Sequence, residues 1–535
     1  MIISADGKQR RELQEDLLPV KIVKSDNMEN AEGLLIPRIA SVSFQTTGWT
    51  AFEKAGSYVV LDFGKELCGG LRMVIRGANG PARWRLTFGE SLSEACSSIG
   101  EKNATNDHSP RDFEVVTSSM SDVRFGQTGF RFVRVELLDA APAVVQSIFA
   151  TSYLPLFEKE AKIVTNDELL NDIIKTAAYT LKLNFQNGHI WDGIKRDRLV
   201  WCGDLHPEII SSLYMFGDNE NITNSLTFLK GTASPQQWIN TIPTYSAWWV
   251  INLCDYCTMT GNWEYFRENR EYALQVIEHF NSCVTDDGKA ALTDGCGMEY
   301  FLDWSTFEYE DAPAGVSALI RIMAQKFVAI EENAACRRII DKLVGCTEIE
   351  TTMKPVRAFQ VLAGRDCPEE DAAMLQKEGA RGFSTFMAYY ILTAMAKSGG
   401  KDMLEILKSY YGGMLSRGAT SFWEDFDIDW LENSGRIDEF PEEGQKDIHG
   451  DFGKHCYQQF RHSLCHGWSA GVLAFIVEYI LGVNIKEGGK KVSVKPNMLG
   501  LTDIEAELPL KRGMLKISIH GEDVQIRVPE GTELV

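Results

Sequence analysis

Residues 191–208 read WDGIKRDRLVWCGDLHPE. Asp192, Asp197 and Asp204 stand there near Trp201, with Arg196 and Arg198 between them. Ile194, Leu199 and Val200 interleave the charges, so part of the stretch should be buried. Three aspartates cannot be buried together without a partner or a purpose, because each desolvated charge is costly. The plain alternative is a solvated, salt-bridged loop ahead of a helix. Carboxylates beside a tryptophan also suit a sugar site. The carboxylates accept hydroxyl hydrogens, the ring covers the apolar face of a pyranose, and one carboxyl can donate a proton.

Other stretches repeat this aromatic and acidic character. GMEYFLDWSTFEYED contains Glu299, Asp303 and Trp304, and TSFWEDFDIDW contains Trp423, Glu424 and Asp425. TIPTYSAWWV supplies Trp248 and Trp249, and RHSLCHGWSAG supplies His462, His466 and Trp468. Taken singly, each fits a core role: a Trp-Trp pair usually packs, and a histidine before an apolar helix is usually structural. Together they place similar chemistry at four junctions between loop and helix, as a helical barrel gathers side chains at one end.

The elements that must position these residues are legible from periodicity. YVVLDFG, GGLRMVIRG, ARWRLTFGE, DFEVVTS and FRFVRVELL are short, β-branched or aromatic runs separated by Gly, Asn, Asp and Ser. Several such strands without helices between them imply a sandwich of jelly-roll type. From Asn166, an expected N-cap, the period becomes helical. Helices are expected over 166–185, 206–217, 219–230, 244–260, 263–283, 313–331, 333–345, 368–378, 384–397, 400–411 and 463–482. KKVSVKPNML, DIEAELPL, GMLKISIHG and DVQIRVP then read as a small antiparallel β unit. The expected order is a β-sandwich domain over 1–157, an α domain over 158–482 and a β domain over 483–535.

Composition narrows the function class. The chain has 535 residues, 54 basic against 75 acidic, for a net charge of −21 and a pI near 5.0. Nucleic acid and anionic membranes need basic patches, so neither is expected as a partner. A neutral or weakly polar small substrate is, and the stretches with carboxylates beside tryptophan make a carbohydrate or glycoside the candidate. The twelve cysteines lack regular spacing, and Cys254 and Cys257 form a C-x-x-C without a second pair, so buried thiols rather than a zinc site are expected. Scattered cysteines fit a reducing compartment, and the N-terminus has no apolar signal core, so a cytoplasmic location is expected.

DGIKRDRLVWCGD resembles the signature of the inverting α-L-rhamnosidases of glycoside hydrolase family 78. In that signature Asp, Arg, an acidic residue, a basic residue and Gly-Trp-Thr-Gly-Asp follow in order. The matching residues are Asp192, Arg196, Asp197, Arg198, Trp201, Gly203 and Asp204. LDFGKELCGGLRM and LTFGESL are similar to the family's sandwich, FLDW to its Asp-Trp loop, TSFWE to its Trp-Glu motif and SLCHGWSAG to its Ser-Leu-Asn-His segment. The resemblance runs from about residue 58 to the C-terminus.

It implies a mainly α multidomain fold, an (α/α)6 helical barrel preceded by the sandwich and followed by the small β domain. It also implies exo-acting release of terminal α-L-rhamnose without metal or organic cofactor. Asp197 maps onto the general acid and Glu424 onto the general base. Asp192, Trp201, Asp204, Trp304 and His466 map onto the group that holds the sugar, with Arg196 orienting a neighbouring carboxylate. Asp303 and Trp249 are further candidates for sugar contact, on the aromatic and acidic stretches that contain them. The chain departs from the family at Asp197 (usually Glu), Val200 (Gly), Cys202 (Thr) and Cys465 (Asn). Two other readings stay open: a hydrolase of the same fold for another terminal sugar or uronic-acid-linked rhamnose, and a non-catalytic carbohydrate-binding relative.

Residues 425–461 look like an insertion between base and histidine. Trp430, Phe440, Phe452, Tyr457 and Phe460 should not be solvated, so the segment is expected to pack over the sugar site. The alternative is that it anchors to the barrel surface or to a second copy of the chain, which makes a homodimer a candidate assembly.

Overall fold

The runs of β-branched and aromatic residues in the first third pair with one another, as their alternation requires. A computed structural model describes residues 2–3, 9–10, 12–38, 48–293, 295, 297–306 and 309–535. In it Met28–Glu29, Thr50–Phe52, Ala143–Pro155, Tyr58–Ala78, Ser121–Leu137, Ala82–Gly89 and Asp112–Thr117 lie side by side in that order. Glu12–Leu17 and Lys21–Asp26 extend the same antiparallel sheet off this path. Register shifts near Phe125, Phe130 and Val145 bend the long strands. Phe52, Trp84, Phe88 and Phe130 meet edge to face in the core that the sheet encloses. A helical turn, α1 (Leu92–Ala95), follows the strand Ala82–Gly89.

The middle of the chain is helical. Its helices are α2 (Glu168–Leu183), α3 (Leu205–Phe216), α4 (Glu220–Thr232), α5 (Pro243–Thr260), α6 (Trp263–Cys283), α7 (Ala312–Val328) and α8 (Ala334–Lys342). They continue as α9 (Lys354–Leu362), α10 (Pro368–Gln376), α11 (Met387–Lys397), α12 (Met403–Ser416) and α13 (Val472–Phe475). Contacts run from α3 to α5, α7, α9, α11 and α13 and return to α3. These six helices read apolar nearly all round, as buried helices do. The amphipathic helices α2, α4, α6, α8, α10 and α12 lie against them. The functional stretches are the connections between helices at this ring.

Three local expectations are corrected. The first helix is capped by Asp167, whose side chain accepts the Leu170 N–H at 2.9 Å, rather than by Asn166. Asn166 Oδ1 instead accepts the N–H groups of Thr502 and Asp503 and fastens the C-terminal sheet. The helix Lys354–Leu362 was not expected from its nine residues. Pro355 stands in its first turn, where a proline costs no hydrogen bond. Of 463–482, only Val472–Phe475 is α-helical. Gly467–Gly471 is a 3-10 turn and Ile476–Ile480 a π turn.

The C-terminal sheets also differ from the expected boundaries. Lys162–Thr165, ahead of the helices, pairs with Asp503–Leu510 at the edge of a four-stranded antiparallel sheet. Beside it Val483–Lys486 and Lys491–Val494 form a hairpin, and Glu533–Leu534 pairs parallel to the second strand. The β unit is therefore built from both ends of the helical region. No disulfide joins the described cysteines, and Cys254 and Cys257 are buried within α5. Among the described residues no helix is long and apolar enough to cross a membrane.

Trp249 belongs to this scaffold and not to the site. It is fully buried, its indole N–H donates to Leu226 O at 3.0 Å, and its ring meets Tyr272 edge to face. It packs α5 against α4 and α6, the ordinary role of a Trp-Trp pair. Trp249→Phe should therefore lower stability by about 1–3 kcal/mol, through one lost hydrogen bond and a partly emptied site. KM for any glycoside should be unchanged, and thermal melts with steady-state kinetics check both.

Candidate active site

Residues 191–204 form a tight loop between the short strand His189–Ile190 and α3. Trp191 N–H donates to Asn184 O at 2.8 Å. Asp192 closes the loop, its N–H on Leu199 O (3.0 Å) and its Oδ1 accepting the Leu199 N–H (2.9 Å). At the tip Asp197 and Arg198 both adopt φ of 56°, two consecutive non-glycine residues in the left-handed region. Such conformations cost on the order of 1 kcal/mol or more each and persist only where neighbours enforce them. The neighbours are His108 and Gln127 of the sheet domain and Trp191 of the loop itself. Asp197 N–H donates to His108 Nδ1 (3.0 Å), Arg198 Nη1 donates to Gln127 O (3.1 Å), and the Arg198 guanidinium covers the Trp191 ring.

Two further segments join this loop through backbone bonds. Glu424 N–H donates to Ser463 O (2.9 Å), His466 N–H to Phe422 O (3.0 Å) and Gly467 N–H to Asp192 O (2.7 Å). Gly467 is required, because a Cβ there would meet Glu208 Oε1 at 1.9 Å. Gly203 is required too, because its Cβ would meet the Tyr245 ring at 2.6 Å and push the phenol from Asp204 Oδ1. TSFWE and SLCHGW thus become one surface with the 191–204 loop, which lies hundreds of residues before them in the chain.

At its centre lies the Arg196 guanidinium. Nη1 donates to Asp197 Oδ1 at 2.9 Å, Nη2 donates to Glu424 Oε1, and Nε donates to Arg461 O at 3.2 Å. One planar fork therefore joins the two carboxylates. Glu424 Oε2 accepts the Ser463 N–H at 2.9 Å. Burial pushes Glu424 up to about 7, and Arg196 opposes that rise. Burial also raises Asp192 and Asp204 well above the usual carboxylate range, reinforced by neighbouring carboxylates. His466 is held well below its ordinary value by burial and then by Arg196, so it is neutral. Its Nε2 lies 3.7 Å from Asp192 Oδ2 and 3.9 Å from both Asp204 Oδ2 and Glu424 Oε1. Asp192, Asp204 and His466 stand close enough for one small polar group or cation to touch all three.

These groups face a cavity of about 190 Å³ walled by Trp201, Ile242, Tyr245, Phe301, Trp304, Tyr457 and Trp468. That is below the roughly 300–1,000 Å³ of drug-sized ligand sites and suits a single small ring. Asp197, 19% exposed, and Arg461, 31% exposed, stand at the rim, and Arg461 Nη1 donates to Asp107 Oδ2 (2.6 Å). Asp303 does not face the cavity. Its carboxylate accepts from Ser305 Oγ (2.7 Å), Ser384 Oγ (2.6 Å) and the Trp304 N–H (2.8 Å), and so braces Trp304 from behind. The remaining sugar-contact candidates, Asp192, Arg196, Trp201, Asp204, Trp304 and His466, all line it with Asp197 and Glu424.

Residues 425–461 wall the cavity through Cys456, Tyr457 and Arg461, and His455 stacks on Trp304. Trp430 stacks on Phe452 rather than reaching the cavity, and both border an adjoining hollow of about 760 Å³ that shares Trp304 and Tyr457. The segment is also tied to the sheet domain, by Leu92 N–H on Ile437 O (2.8 Å) and by Arg131 with Asp438 (3.3 Å). Tyr245, Ile242 and Phe301 were missed in the sequence, although Tyr245 lies in the same TIPTYSAWW stretch as the tryptophans. His108 carried no signal, being one polar residue in a polar loop of another domain.

Residues 19–151 match the family model described as the glycosyl hydrolase family 78 alpha-rhamnosidase N-terminal domain. No curated protein matches the chain. Among solved structures, a GH78 family rhamnosidase of Bacillus sp. GL1 is 19% identical, with TM-score 0.72 over 94% of this chain and 55% of that one. A rhamnosidase from Klebsiella oxytoca with rhamnose bound is 19% identical, with TM-score 0.70 over 88% of this chain and 96% of that one. An alpha-L-rhamnosidase from Dictyoglumus thermophilum is 14% identical, with TM-score 0.68 over 98% of this chain and 59% of that one. The chain thus spans little more than half of the Bacillus and Dictyoglumus proteins and nearly all of the Klebsiella one. At these identities the likeness is one of fold. Residues 19–151 thus match the N-terminal domain of glycoside hydrolase family 78, and nearly the whole chain shares the fold of these rhamnosidases.

Proposed function

We propose that the protein is an exo-acting, inverting α-L-rhamnosidase whose helical ring is an (α/α)6 barrel. The observation that carries this reading is the Arg196 fork, which joins Asp197 at the rim to Glu424 at the wall of a cavity sized for one ring. Inversion requires one carboxyl to protonate the leaving oxygen while another activates a water on the opposite face. Asp197, beside solvent, is the acid and faces the departing group. Glu424, buried and charge-paired with Arg196, is the base. Asp192, Asp204 and neutral His466 hold the sugar hydroxyls, since carboxyls and imidazole both accept and donate hydrogen bonds. Trp201, Trp304 and Phe301 cover apolar ring faces and a C6 methyl group.

A neutral sugar is favoured over a uronic acid. The lining arginines are Arg196 and Arg461, and both are engaged by carboxylates of the protein. The small cavity favours a terminal residue, with Cys456, Tyr457 and Arg461 narrowing it. The adjoining hollow beyond Trp304 and Tyr457 gives the aglycone a second surface. Thiols without a disulfide among the described cysteines agree with a reducing, cytoplasmic setting.

An aryl α-L-rhamnoside tests the reading. Proton NMR of the first product should show the β anomer of rhamnose, and retention of configuration would overturn the mechanism. Glu424→Gln should cost on the order of a hundredfold or more in kcat. Asp197→Asn should cost much less on an activated aryl glycoside than on an alkyl or sugar aglycone, because a good leaving group needs little protonation. The base must be ionised to act. Activity should therefore fall as pH drops through about 7, where Glu424 takes up its proton, and a kcat/KM profile checks this.

A further inference from the structure

The sheet domain puts a carboxylate behind the site that the proposed mechanism does not use. Resting on the catalytic reading above, we propose that Glu90 is a positioning residue that holds the acid-bearing loop and the base-bearing segment in fixed relation. Glu90 follows the strand Ala82–Gly89 and is fully buried. Its Oε2 lies 3.0 Å from Lys195 Nζ and accepts the Leu464 N–H at 2.6 Å. Its Oε1 accepts the Ser463 hydroxyl at 3.0 Å. One carboxylate thus grips two segments that are some 270 residues apart in the chain.

Each grip ends one residue from the chemistry. Lys195 precedes Arg196, whose fork joins Asp197 to Glu424. Ser463 is bonded to Glu424 from both sides, its N–H on Oε2 and its carbonyl accepting the Glu424 N–H, each at 2.9 Å. Glu90 is itself held, because Glu94 in α1 accepts the Glu90 N–H at 2.8 Å and pairs with Lys195 at 3.1 Å.

Neutralising Lys195 alone would not explain these contacts. Lys195 already has Glu94 and donates to Phe460 O (3.0 Å) and His462 O (2.6 Å). The bonds from Glu90 to Ser463 and Leu464 are additional and reach the base-bearing side. Charged groups near Glu90 are Lys195, Glu94 and Glu66, with His449 beyond Glu94. Titratable groups near Glu424 are Arg196, Asp197, Lys195, Asp204 and Asp425, with neutral His466 beside them.

Glu90→Gln keeps the shape but removes the negative charge that faces Lys195 and forces the bond with the Ser463 hydroxyl to reverse its direction. A misplacement behind the catalytic pair should lower kcat on the order of tenfold or more while KM changes less than about threefold. Trp84→Phe, which removes the bond to Thr117 in the sheet core (2.9 Å), is the stability control. It should lower the melting temperature and leave kcat in place. Unchanged kcat in Glu90→Gln, or equal kcat losses in both variants, would overturn the proposal. If Glu90→Gln does not fold, Ser463→Ala removes the hydroxyl contact with Glu90, together with the local bonds of that hydroxyl to Cys465, and an unchanged kcat there overturns it equally. If the parent cleaves no rhamnoside, the proposed function fails by itself. A crystal structure of Glu90→Gln then decides the positioning claim: a displaced Ser463–Glu424 pair or Arg196 fork supports it, and an unmoved site sinks it.

Discussion

One guanidinium holds the site together. Arg196 is buried, donates to two carboxylates from different segments, and closes its third direction on the Arg461 carbonyl. A planar fork with fixed donors can do this, and a flexible ammonium cannot. Removing one partner of such a buried group leaves an uncompensated charge, at a cost of about 3–5 kcal/mol. The turn at Asp197 and Arg198, the pairing of Glu424 with Ser463 and the approach of residue 461 all have to be compatible with where that fork points.

Negative charge is in excess around it. Asp192, Asp204, Glu208 and Glu424 are all buried nearby, and among the described residues neither oxygen of Glu208 meets a protein donor. Burial raises Glu208 well above its usual range, and the Asp204 and Asp192 charges add to the rise. Keeping several of these carboxyls protonated is the cheapest way to hold them in so little space. A protonated carboxyl donates as well as accepts, so the same crowding yields a wall of mixed donors and acceptors. Hydroxyl groups match such a wall better than a charged ligand does.

The sheet domain is bound to the helical body by buried polar contacts rather than by apolar surface alone. Arg131 pairs with Asp62 (2.9 Å) and also donates to Gly418 O (3.1 Å). Lys195 reaches from the helical body into Glu90 and Glu94. Contacts of this kind tolerate little sliding, because each shift leaves a buried charge unsatisfied. The domain thus has a geometric reason to travel with the helices, beyond any ligand surface of its own.

The order of elements and most of the polar residues around the cavity were legible from the amino-acid order alone. Strand alternation, helical periodicity and aromatic–acidic junctions each express a local requirement, so 191–204, Trp304, Glu424 and His466 were legible before any contact was known. Trp249 misled for the same reason: its neighbours in the chain resemble a site, whereas its neighbours in space are Leu226 and Tyr272. Asp303 was legible as an acid but not as the brace behind Trp304. His108, Tyr245 and Glu90 were beyond sequence reading, since each acts on a residue in another element. The packing of helices into a ring decided those encounters, because only closing the chain on itself brings a sheet carboxylate, a loop arginine and a distant glutamate within reach of one hydrogen-bond network.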